Sequence, residues 1–283
     1  MEPPAIQLNT ENRKPETENQ EWAFTVQGRG PDLLLLHGFG ASSFSWRDNV
    51  GPLSRHYRVW TLDLPAHGAS PAPLEADYSL EALARGVLDF MDRRGIRKAA
   101  VVGNSLGGSL ALLLARDHPE RVTALVLIAP GVAVRRIPWI FYPLRLPGLG
   151  LIAAALLGPW LMPLALRVAY HRRDLITPEV VAAYAAPFRD LRRRLAIRRL
   201  CRQLRLQPLE EIAAWLGQLR QPAVIIWGRE DLILPVTQAY WLKDQMPRAD
   251  FHLLPEVGHA PQEEVPEVVN KIIIDFLGAS LKN

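Results

Sequence analysis

Five short apolar runs, each ending in turn residues, constrain the fold of this chain more than any other feature. Their Val, Ile and Leu residues are continuous rather than alternating with polar ones, which indicates strands covered on both faces. Amphipathic helical patterns follow at 79–95 and 105–120. The sequence therefore predicts an α/β fold with a doubly wound, mostly parallel sheet. The runs are PDLLLLHG (31–38), YRVWTLDLP (57–65), KAAVVGNS (98–105), VTALVLIAP (122–130) and PAVIIWG (222–228).

This alternation stops between residues 131 and 215, where Pro, Leu and Arg dominate the sequence. We predict a helical insertion over 131–215, between two parts of one core at 21–130 and 216–283. The first 20 residues are polar and contain Pro, so we predict a flexible tail at 1–20. Because that tail has no apolar segment after a basic start, it does not resemble a secretory signal, which favours a cytoplasmic location.

The single cysteine, Cys201, narrows the chemistry open to the chain. One cysteine excludes an intramolecular disulfide and a multi-cysteine metal site, and it is consistent with a reducing compartment. Since Cys201 lies between Leu200 and Leu204, we predict that it packs in the interior.

A serine lies among glycines where the third apolar run ends. Residues 103–107 read Gly-Asn-Ser-Leu-Gly, the G-x-S-x-G pattern, between a predicted strand and a predicted helix. On so tight a turn, Gly103 and Gly107 leave room that side chains would fill. The helix that begins at Leu106 directs its N-terminal amides and positive dipole end toward charge that forms near Ser105. This setting predicts Ser105 as a nucleophile.

A serine nucleophile needs an imidazole base, which a carboxylate in turn orients. Acidic residues follow the strand-like PAVIIWG run, and we predict Asp231 as the orienting carboxylate, with its neighbour Glu230 as the alternative. His259 lies on a Gly-preceded loop after the strand-like FHLLP, and we predict it as the base. The order Ser105, Asp231, His259 places each member at a strand end, where sites form in open α/β sheets.

The loop HGFGASSFSW (37–46) supplies the second part of the predicted chemistry. Attack on a carbonyl produces an oxyanion, which two preorganised donors can hold. We predict the backbone amides of Leu106 and of Phe39, which follows Gly38, as these donors. His37 opens the loop, and we expect it to hold the loop in place rather than to transfer protons.

Together these motifs resemble the α/β-hydrolase superfamily. The matching segments are LLLLHGFG, DLPAHGAS, GNSLGG, GREDLILP and GHAPQEEVPE, which extend over residues 22–130 and 218–278. Ala66 stands where the family usually has Gly, and we expect only a small change in that loop. Ser105 separates the chain from relatives similar to haloalkane dehalogenases and epoxide hydrolases, which use Asp there. The resemblance also implies the cap at 131–215.

We predict a serine hydrolase that cleaves carboxylic esters with a hydrophobic acyl or alcohol part, through an acyl-enzyme. This chemistry requires neither a metal ion nor an organic cofactor. Cap-bearing relatives that resemble carbon–carbon bond hydrolases, cofactor-free haloperoxidases or hydroxynitrile lyases share the same residues, so these reactions are the alternative. A non-catalytic ligand-binding protein is the second alternative, because a fold does not fix a function.

An uncharged apolar segment, LPGLGLIAAALLGPWLMPLAL (146–166), lies within the predicted cap. Its length suits a membrane span. However, Pro147, Pro159 and Pro163 interrupt a long helix, and a span there would separate strands of one sheet onto two sides of a membrane. Two interpretations therefore remain: cap helices buried against the core, or an exposed apolar lid that contacts lipid.

An arginine-rich helix is predicted further along the chain, over 188–206. Residues 167–205 contain eleven Arg against three acidic residues, a net charge of +8. The helical pattern leaves these arginines on the outer surface. We expect peripheral contact of 146–206 with an anionic membrane. Nucleic-acid binding is not expected, because no aromatic residues are interleaved with the arginines.

Overall fold

The computed structural model describes residues 21–132, 142–205 and 207–280, and these form a seven-stranded sheet. The strands are β1 (Phe24–Gln27), β2 (Asp32–Leu36), β3 (Arg58–Leu62), β4 (Ala99–Asn104), β5 (Val122–Ile128), β6 (Ala223–Gly228) and β7 (Asp250–Leu254). Their order across the sheet is β1-β3-β2-β4-β5-β6-β7. β1 pairs antiparallel with β3, and the other neighbouring pairs are parallel. The predicted mostly parallel sheet is confirmed.

Helices connect the strands. In the core they are α1 (Arg47–Leu53), α2 (Leu80–Arg93), α3 (Leu106–Asp117), α10 (Val236–Gln245), α11 (Pro261–Glu264) and α12 (Pro266–Ser280). Between β5 and β6 they are α4 (Tyr142–Arg145), α5 (Leu149–Leu156), α6 (Met162–Ala169), α7 (Pro178–Ala185), α8 (Leu191–Gln203) and α9 (Leu209–Leu216). The part of the chain described between β5 and β6 is helical or irregular. We call α4–α8 the cap.

Alternate residues of the central strands bury their side chains on opposite faces of the sheet. In β2, Leu34 and Leu36 pack in a core with α2 and α3. Leu33 and Leu35 pack in a second core, which contains Leu53 of α1 and residues of α12. All four leucines are fully buried. Helices on both faces explain why the strand sequences are continuously apolar, and they confirm the doubly wound arrangement.

The domain limits predicted from the sequence, with the cap at 131–215, stay predictions. The predicted flexible tail at 1–20 lies outside the described residues, as do residues 133–141 and residue 206 within the insertion.

The arginines of α8 differ from the expectation that they occupy the outer surface. Arg193 donates from Nη1 to the carbonyl oxygens of Ser70 at 2.8 Å and His67 at 3.2 Å. Arg199 donates from Nε to the carbonyl oxygen of Ala76 at 2.8 Å. These carbonyls belong to the loop after β3, so this face of α8 attaches the cap to the core. A helical pattern alone cannot show that a charged face meets backbone carbonyls rather than water.

Cys201 is buried in α8, as predicted, and packs with Leu144 and Ala154 of the other cap helices. Burial raises the pKa of its thiol to about 11, although nearby Arg145 opposes this rise. A thiol that stays protonated and out of contact with solvent is a packing residue rather than a nucleophile.

Among the described residues, no single helix is both long and apolar enough to cross a membrane. Within the described parts of the chain, α5 and the adjoining stretch Pro159–Ala169 reach the necessary length and composition when taken together, and a bend of 79° separates them.

Candidate active site

Ser105 joins β4 to α3 in a strained conformation, with φ 52° and ψ −111°. A residue with a Cβ rarely adopts a positive φ, and such strain costs about 1–3 kcal/mol. Backbone hydrogen bonds on both sides hold it. The Ser105 amide donates to the carbonyl oxygen of Ile128 at 2.9 Å, and the Ser105 carbonyl accepts from the amide of Gly131 at 3.0 Å. The serine is thus raised on a sharp turn at the carboxyl edge of the sheet.

Glycines on each side of Ser105 make this turn sterically feasible. A Cβ added to Gly103 would lie 2.3 Å from the carbonyl oxygen of Gly107. One added to Gly107 would lie 2.1 Å from the carbonyl oxygen of Leu36 in β2. Both distances are far inside van der Waals contact with backbone atoms, so neither position has room for a side chain.

Asp231 and His259 form a buried hydrogen-bonded pair. His259 Nδ1 lies 2.7 Å from Asp231 Oδ2. Since the carboxylate only accepts, Nδ1 carries the proton and Nε2 is left as the basic nitrogen. The other carboxylate oxygen, Oδ1, accepts from the backbone amides of Ile233 and Leu234, each at 2.8 Å. The carboxylate is therefore fixed on both sides and can orient the imidazole.

The side chain of Asn104 joins the serine turn to the histidine loop. Its Nδ2 donates to the carbonyl oxygen of His259 at 3.1 Å and to that of Ile128 at 3.2 Å. Asn104 directly precedes Ser105, so one buried amide sets the position of the histidine loop relative to the nucleophile. Sequence reasoning missed this residue, because it occupies a variable position of the G-x-S-x-G pattern.

The predicted oxyanion loop passes next to the nucleophile. A Cβ added to Gly38 would lie 3.2 Å from Ser105 Cβ and 3.0 Å from Asn104 Oδ1. Phe39 follows Gly38, and Leu106 is the first residue of α3. The two segments that carry the predicted donor amides therefore meet at Ser105. The assignment of those amides as the oxyanion hole stays a prediction.

His37 fastens this loop to the turn after β3. Its Nδ1 donates to the carbonyl oxygen of Gly38 at 2.8 Å, and its Nε2 accepts from the amide of Leu64 at 2.9 Å. Burial lowers the pKa of His37, although the charge of Asp63 opposes this. A neutral imidazole with both nitrogens engaged is suited to holding the loop.

Asp63 supports the same loop, and sequence reasoning did not single it out. Its Oδ1 accepts from the amide of Ser43 and its Oδ2 from the amide of Ala69, each at 2.7 Å. In the turn between Asp63 and Ala69, Ala66 has φ 68°. This positive φ explains why glycine is usual there in the family that the motifs resemble. Ala66 adopts this left-handed conformation although it carries a Cβ.

Glu264 ties the cap to the histidine loop. Its carboxylate accepts from three backbone amides, those of Gly258 at 2.8 Å, His171 at 2.8 Å and Arg172 at 2.9 Å. Nearby, the amide of His259 donates to the carbonyl oxygen of Ala169, at the end of α6, at 2.7 Å. The loop that presents the predicted base is therefore held by the cap as well as by Asn104.

Glu263 makes a second link between cap and core. Arg47 of the core donates to its Oε2 at 2.5 Å, and the hydroxyl of Tyr184 in α7 donates to its Oε1 at 2.6 Å. Burial raises the pKa of Glu263, while the charge of Arg47 and the tyrosine hydrogen bond oppose the rise. The Tyr184 ring also meets Phe44 edge to face, with centroids 6.0 Å apart.

Aromatic side chains border the serine turn. Phe39 meets His67 edge to face at a centroid distance of 5.9 Å. Phe188 of the cap approaches Gly40 of the loop, since a Cβ added there would lie 3.9 Å from its Cζ. Phe39 also packs against the small cap cluster of Leu144, Ala154 and Cys201. Apolar side chains therefore surround the predicted oxyanion loop beside the serine turn.

A hydroxyl on a strained turn, an imidazole oriented by a carboxylate and the N-terminal amides of α3 are the groups that nucleophilic catalysis needs. The catalytic roles of Ser105, Asp231 and His259 stay predictions. Among the residues described, no group of three or more His, Cys, Asp or Glu side chains is arranged to hold a metal ion.

Comparison with known proteins identifies the family. Residues 33–272 match the alpha/beta hydrolase family. The chain is 31% identical over 258 residues to the 2-hydroxy-6-oxo-6-phenylhexa-2,4-dienoate hydrolase of Burkholderia cepacia, with 88% of each chain covered. It is 30% identical over 256 residues to a 2-hydroxy-6-oxononadienedioate/2-hydroxy-6-oxononatrienedioate hydrolase of Comamonas testosteroni, again with 88% of each covered. A crystal structure of a membrane phospholipase A matches with a TM-score of 0.78 and 28% identity, over 93% of this chain and 84% of that one. The chain therefore belongs to the alpha/beta hydrolase family.

Proposed function

We propose that this hydrolase cleaves the carbon–carbon bond next to a ketone carbonyl in a largely apolar substrate. Support comes from the two dienoate hydrolases, which are 31% and 30% identical to it over nearly nine-tenths of the chain. These relatives favour the carbon–carbon alternative over the carboxylic ester hydrolysis that the sequence motifs put first.

In this reaction, Ser105 Oγ attacks the ketone carbon while His259 Nε2 takes the hydroxyl proton. Asp231 keeps the imidazole in the tautomer that makes Nε2 basic, and it stabilises the imidazolium. The amides of Phe39 and Leu106 hold the oxyanion.

Collapse of that intermediate breaks the carbon–carbon bond. The electron pair passes to the leaving carbon, and a conjugated oxo group delocalises it as an enolate. The imidazolium returns its proton to this fragment, which leaves an acyl group on Ser105. Water, deprotonated by His259, then releases the acid and regenerates the serine.

The observation that best supports the shared serine mechanism is the 2.7 Å pair between Asp231 and His259. Its loop is hydrogen-bonded by Asn104 to the turn that carries Ser105. The proposal needs no other nucleophile, because Cys201 is buried in the cap.

The test is whether the enzyme consumes 2-hydroxy-6-oxo-6-phenylhexa-2,4-dienoate. The loss of the substrate's colour monitors the reaction, and chromatography identifies the acid product. We expect turnover by the wild type and none above background by Ser105→Ala. A wild-type enzyme that is folded, yet leaves this dienoate and shorter-chain analogues unchanged, would contradict carbon–carbon cleavage.

Hydrolysis of esters with an apolar acyl group is the second candidate. The aromatic border of the site and the 28% identity to a membrane phospholipase A favour it. The matched assay is a series of p-nitrophenyl esters from acetyl to palmitoyl. Faster turnover there than on the dienoate would select this function. If neither assay shows turnover and a fluorophosphonate probe does not label the protein, the non-catalytic ligand-binding alternative is favoured.

A further inference from the structure

The outer surface of α4–α6 concentrates apolar side chains that the described residues expose. Of the thirteen large apolar residues that are exposed, eight lie between residues 142 and 164. The most exposed are Leu149 at 62%, Ile152 at 58%, Leu156 at 60%, Trp160 at 68% and Leu164 at 60%. Exposed apolar side chains concentrated in one short segment favour an interaction site, whereas single exposed apolar residues do not. We call these five residues the apolar patch.

Helix α5 is apolar on both sides. Leu149, Ile152 and Leu156 are spaced by three and four residues, so they form one outward stripe. The opposite side buries Ala154 completely, and Ala153 packs there in the small cluster that also contains Phe39. The inner stripe is thus covered by the cap and the oxyanion loop. The outer stripe has no such cover in the described structure and favours a further apolar environment.

The segment that carries the patch is basic. Residues 142–173 contain no Asp or Glu, and residues 142–205 contain twelve Arg against three acidic residues, a net charge of +9. Arg167, which is exposed, lies three residues after Leu164, so the two share one side of α6, and Trp160 lies shortly before this helix begins. An apolar stripe edged by arginine matches the interface of a bilayer that contains anionic lipid.

A second copy of this chain fits the patch poorly. Two copies related by a two-fold axis would bring like surfaces together. Arg167 would then face a surface without carboxylates, because 142–173 has none. The charge pattern therefore favours lipid headgroups.

We propose that the apolar patch docks the protein peripherally on the surface of a bilayer that contains anionic lipid. The leucines, Ile152 and Trp160 enter the boundary between headgroups and acyl chains, and Arg167 remains with the headgroups. Because α5 carries part of this surface and packs in the same small cluster as Phe39, docking brings the predicted oxyanion loop close to the lipid phase. The docking is independent of which bond the enzyme cleaves.

The test is co-sedimentation of the full chain with vesicles of phosphatidylcholine alone and of phosphatidylcholine with phosphatidylglycerol at 3:1. Ser105→Ala is used as the parent so that no lipid is hydrolysed. We expect the protein to bind the mixed vesicles, and to bind the neutral vesicles at least tenfold more weakly. Ile152→Glu and Leu164→Glu, made separately, should each lower the vesicle partition coefficient at least tenfold, and Arg167→Glu should lower it on mixed vesicles only. Val268→Glu, at an exposed apolar position of α12, is the matched control and should bind like the parent.

Hydrogen–deuterium exchange locates the contact. Added mixed vesicles should slow amide exchange in 149–169 and leave α12 unchanged. Several results would overturn the proposal: no binding to mixed vesicles, equal binding to both vesicle types, or equal losses from Val268→Glu and the patch variants. So would a dimer, measured by light scattering, that Ile152→Glu converts to monomer, because a second copy would then cover the patch. Circular dichroism of each variant checks folding, and the two separate patch variants keep the test valid if one misfolds.

Discussion

The side-chain amide of Asn104 hydrogen-bonds the backbone carbonyl of His259 at 3.1 Å, across 155 residues of sequence. This bond connects the residue before the predicted nucleophile directly to the residue predicted as its base. It sets the separation of the two groups without touching either reacting atom, so Asn104 is a positioning residue.

Replacement of Asn104 by Ala should therefore lower kcat more than it changes KM. We expect kcat to fall about 10- to 100-fold, because small displacements of reacting groups have effects of this size. Steady-state kinetics on whichever substrate the wild type accepts would measure this. The matched control is Asn270→Ala, since Asn270 is also buried and hydrogen-bonded but pairs with Asn49, away from Ser105. Equal kcat losses in both variants would show a general effect of lost buried amides.

The two neighbouring acids after β6 should differ sharply in their effect on catalysis. Asp231 holds the imidazole, whereas Glu230 accepts from the backbone amide of Val257 at 3.1 Å. Asp231→Asn imposes the wrong tautomer on His259 and should lower kcat by about 10⁴-fold. Glu230→Gln should keep kcat within about threefold, because it retains an acceptor oxygen. Rapid-quench or steady-state rates at neutral pH distinguish them, and the reverse ranking would reassign the orienting acid to Glu230.

Loss of the Glu264 carboxylate should lower the free energy of unfolding and weaken the attachment of the cap to the core. Glu264→Ala leaves three backbone amides without their acceptor. Unsatisfied buried donors cost about 1–3 kcal/mol each, so we expect the free energy of unfolding to fall by at least about 2 kcal/mol. Glu267→Ala is the control, because that residue is exposed at the start of α12, and it should stay within about 0.5 kcal/mol. Urea denaturation of both variants measures the difference, and a negligible loss from Glu264→Ala would mean that water replaces the carboxylate.

The stability of the protein should decrease as the pH falls below 6.5, partly through His67. Burial, followed by the charge of His37, lowers the pKa of His67 from 6.5 to about 3. Between these values the unfolded chain binds a proton that the folded protein does not. The free energy of unfolding therefore rises with pH across this window, by about 1.4 kcal/mol per pH unit for one proton. Above pH 6.5 the contribution is complete.

His67→Asn removes this titrating group. Between pH 4 and 6, the slope of the free energy of unfolding against pH should therefore decrease by the contribution of close to one proton. Urea unfolding at a series of pH values would show it, because other titrating groups contribute equally to both proteins. Parallel profiles for the wild type and His67→Asn would mean that His67 is protonated in the folded protein.

Most of the sheet could be predicted from the sequence, and β1 shows why not all of it could. The central strands are buried on both faces, so their sequences are continuously apolar. β1 has four residues, three of them exposed, at the antiparallel edge of the sheet. Its Thr and Gln give no apolar run, and only pairing with β3 identifies it as a strand.

The predicted site residues and several of their supports lie in short motifs, but the contacts between motifs are not visible in the sequence. Glu263 lies inside the histidine motif GHAPQEEVPE and looks like an ordinary charged helix start. Its partners Arg47 and Tyr184 are 216 and 79 residues away in the chain. No local pattern connects such residues, because the contact exists only once the cap has packed on the core. The same reason explains why the core contacts of Arg193 and Arg199 were not predicted.

Two of the attachments between the cap and the core affect how this protein can evolve. The histidine loop holds the cap at 169–172, and α8 holds it through arginines that meet backbone carbonyls. Backbone carbonyls are present whatever side chains the loop carries, so the second attachment tolerates sequence drift in the core. Substitutions on the exposed side of α5 can then accumulate without loosening the predicted nucleophile or its predicted base. Substrate range and the chemical step are thus separable under selection, and a new specificity can arise from the cap alone.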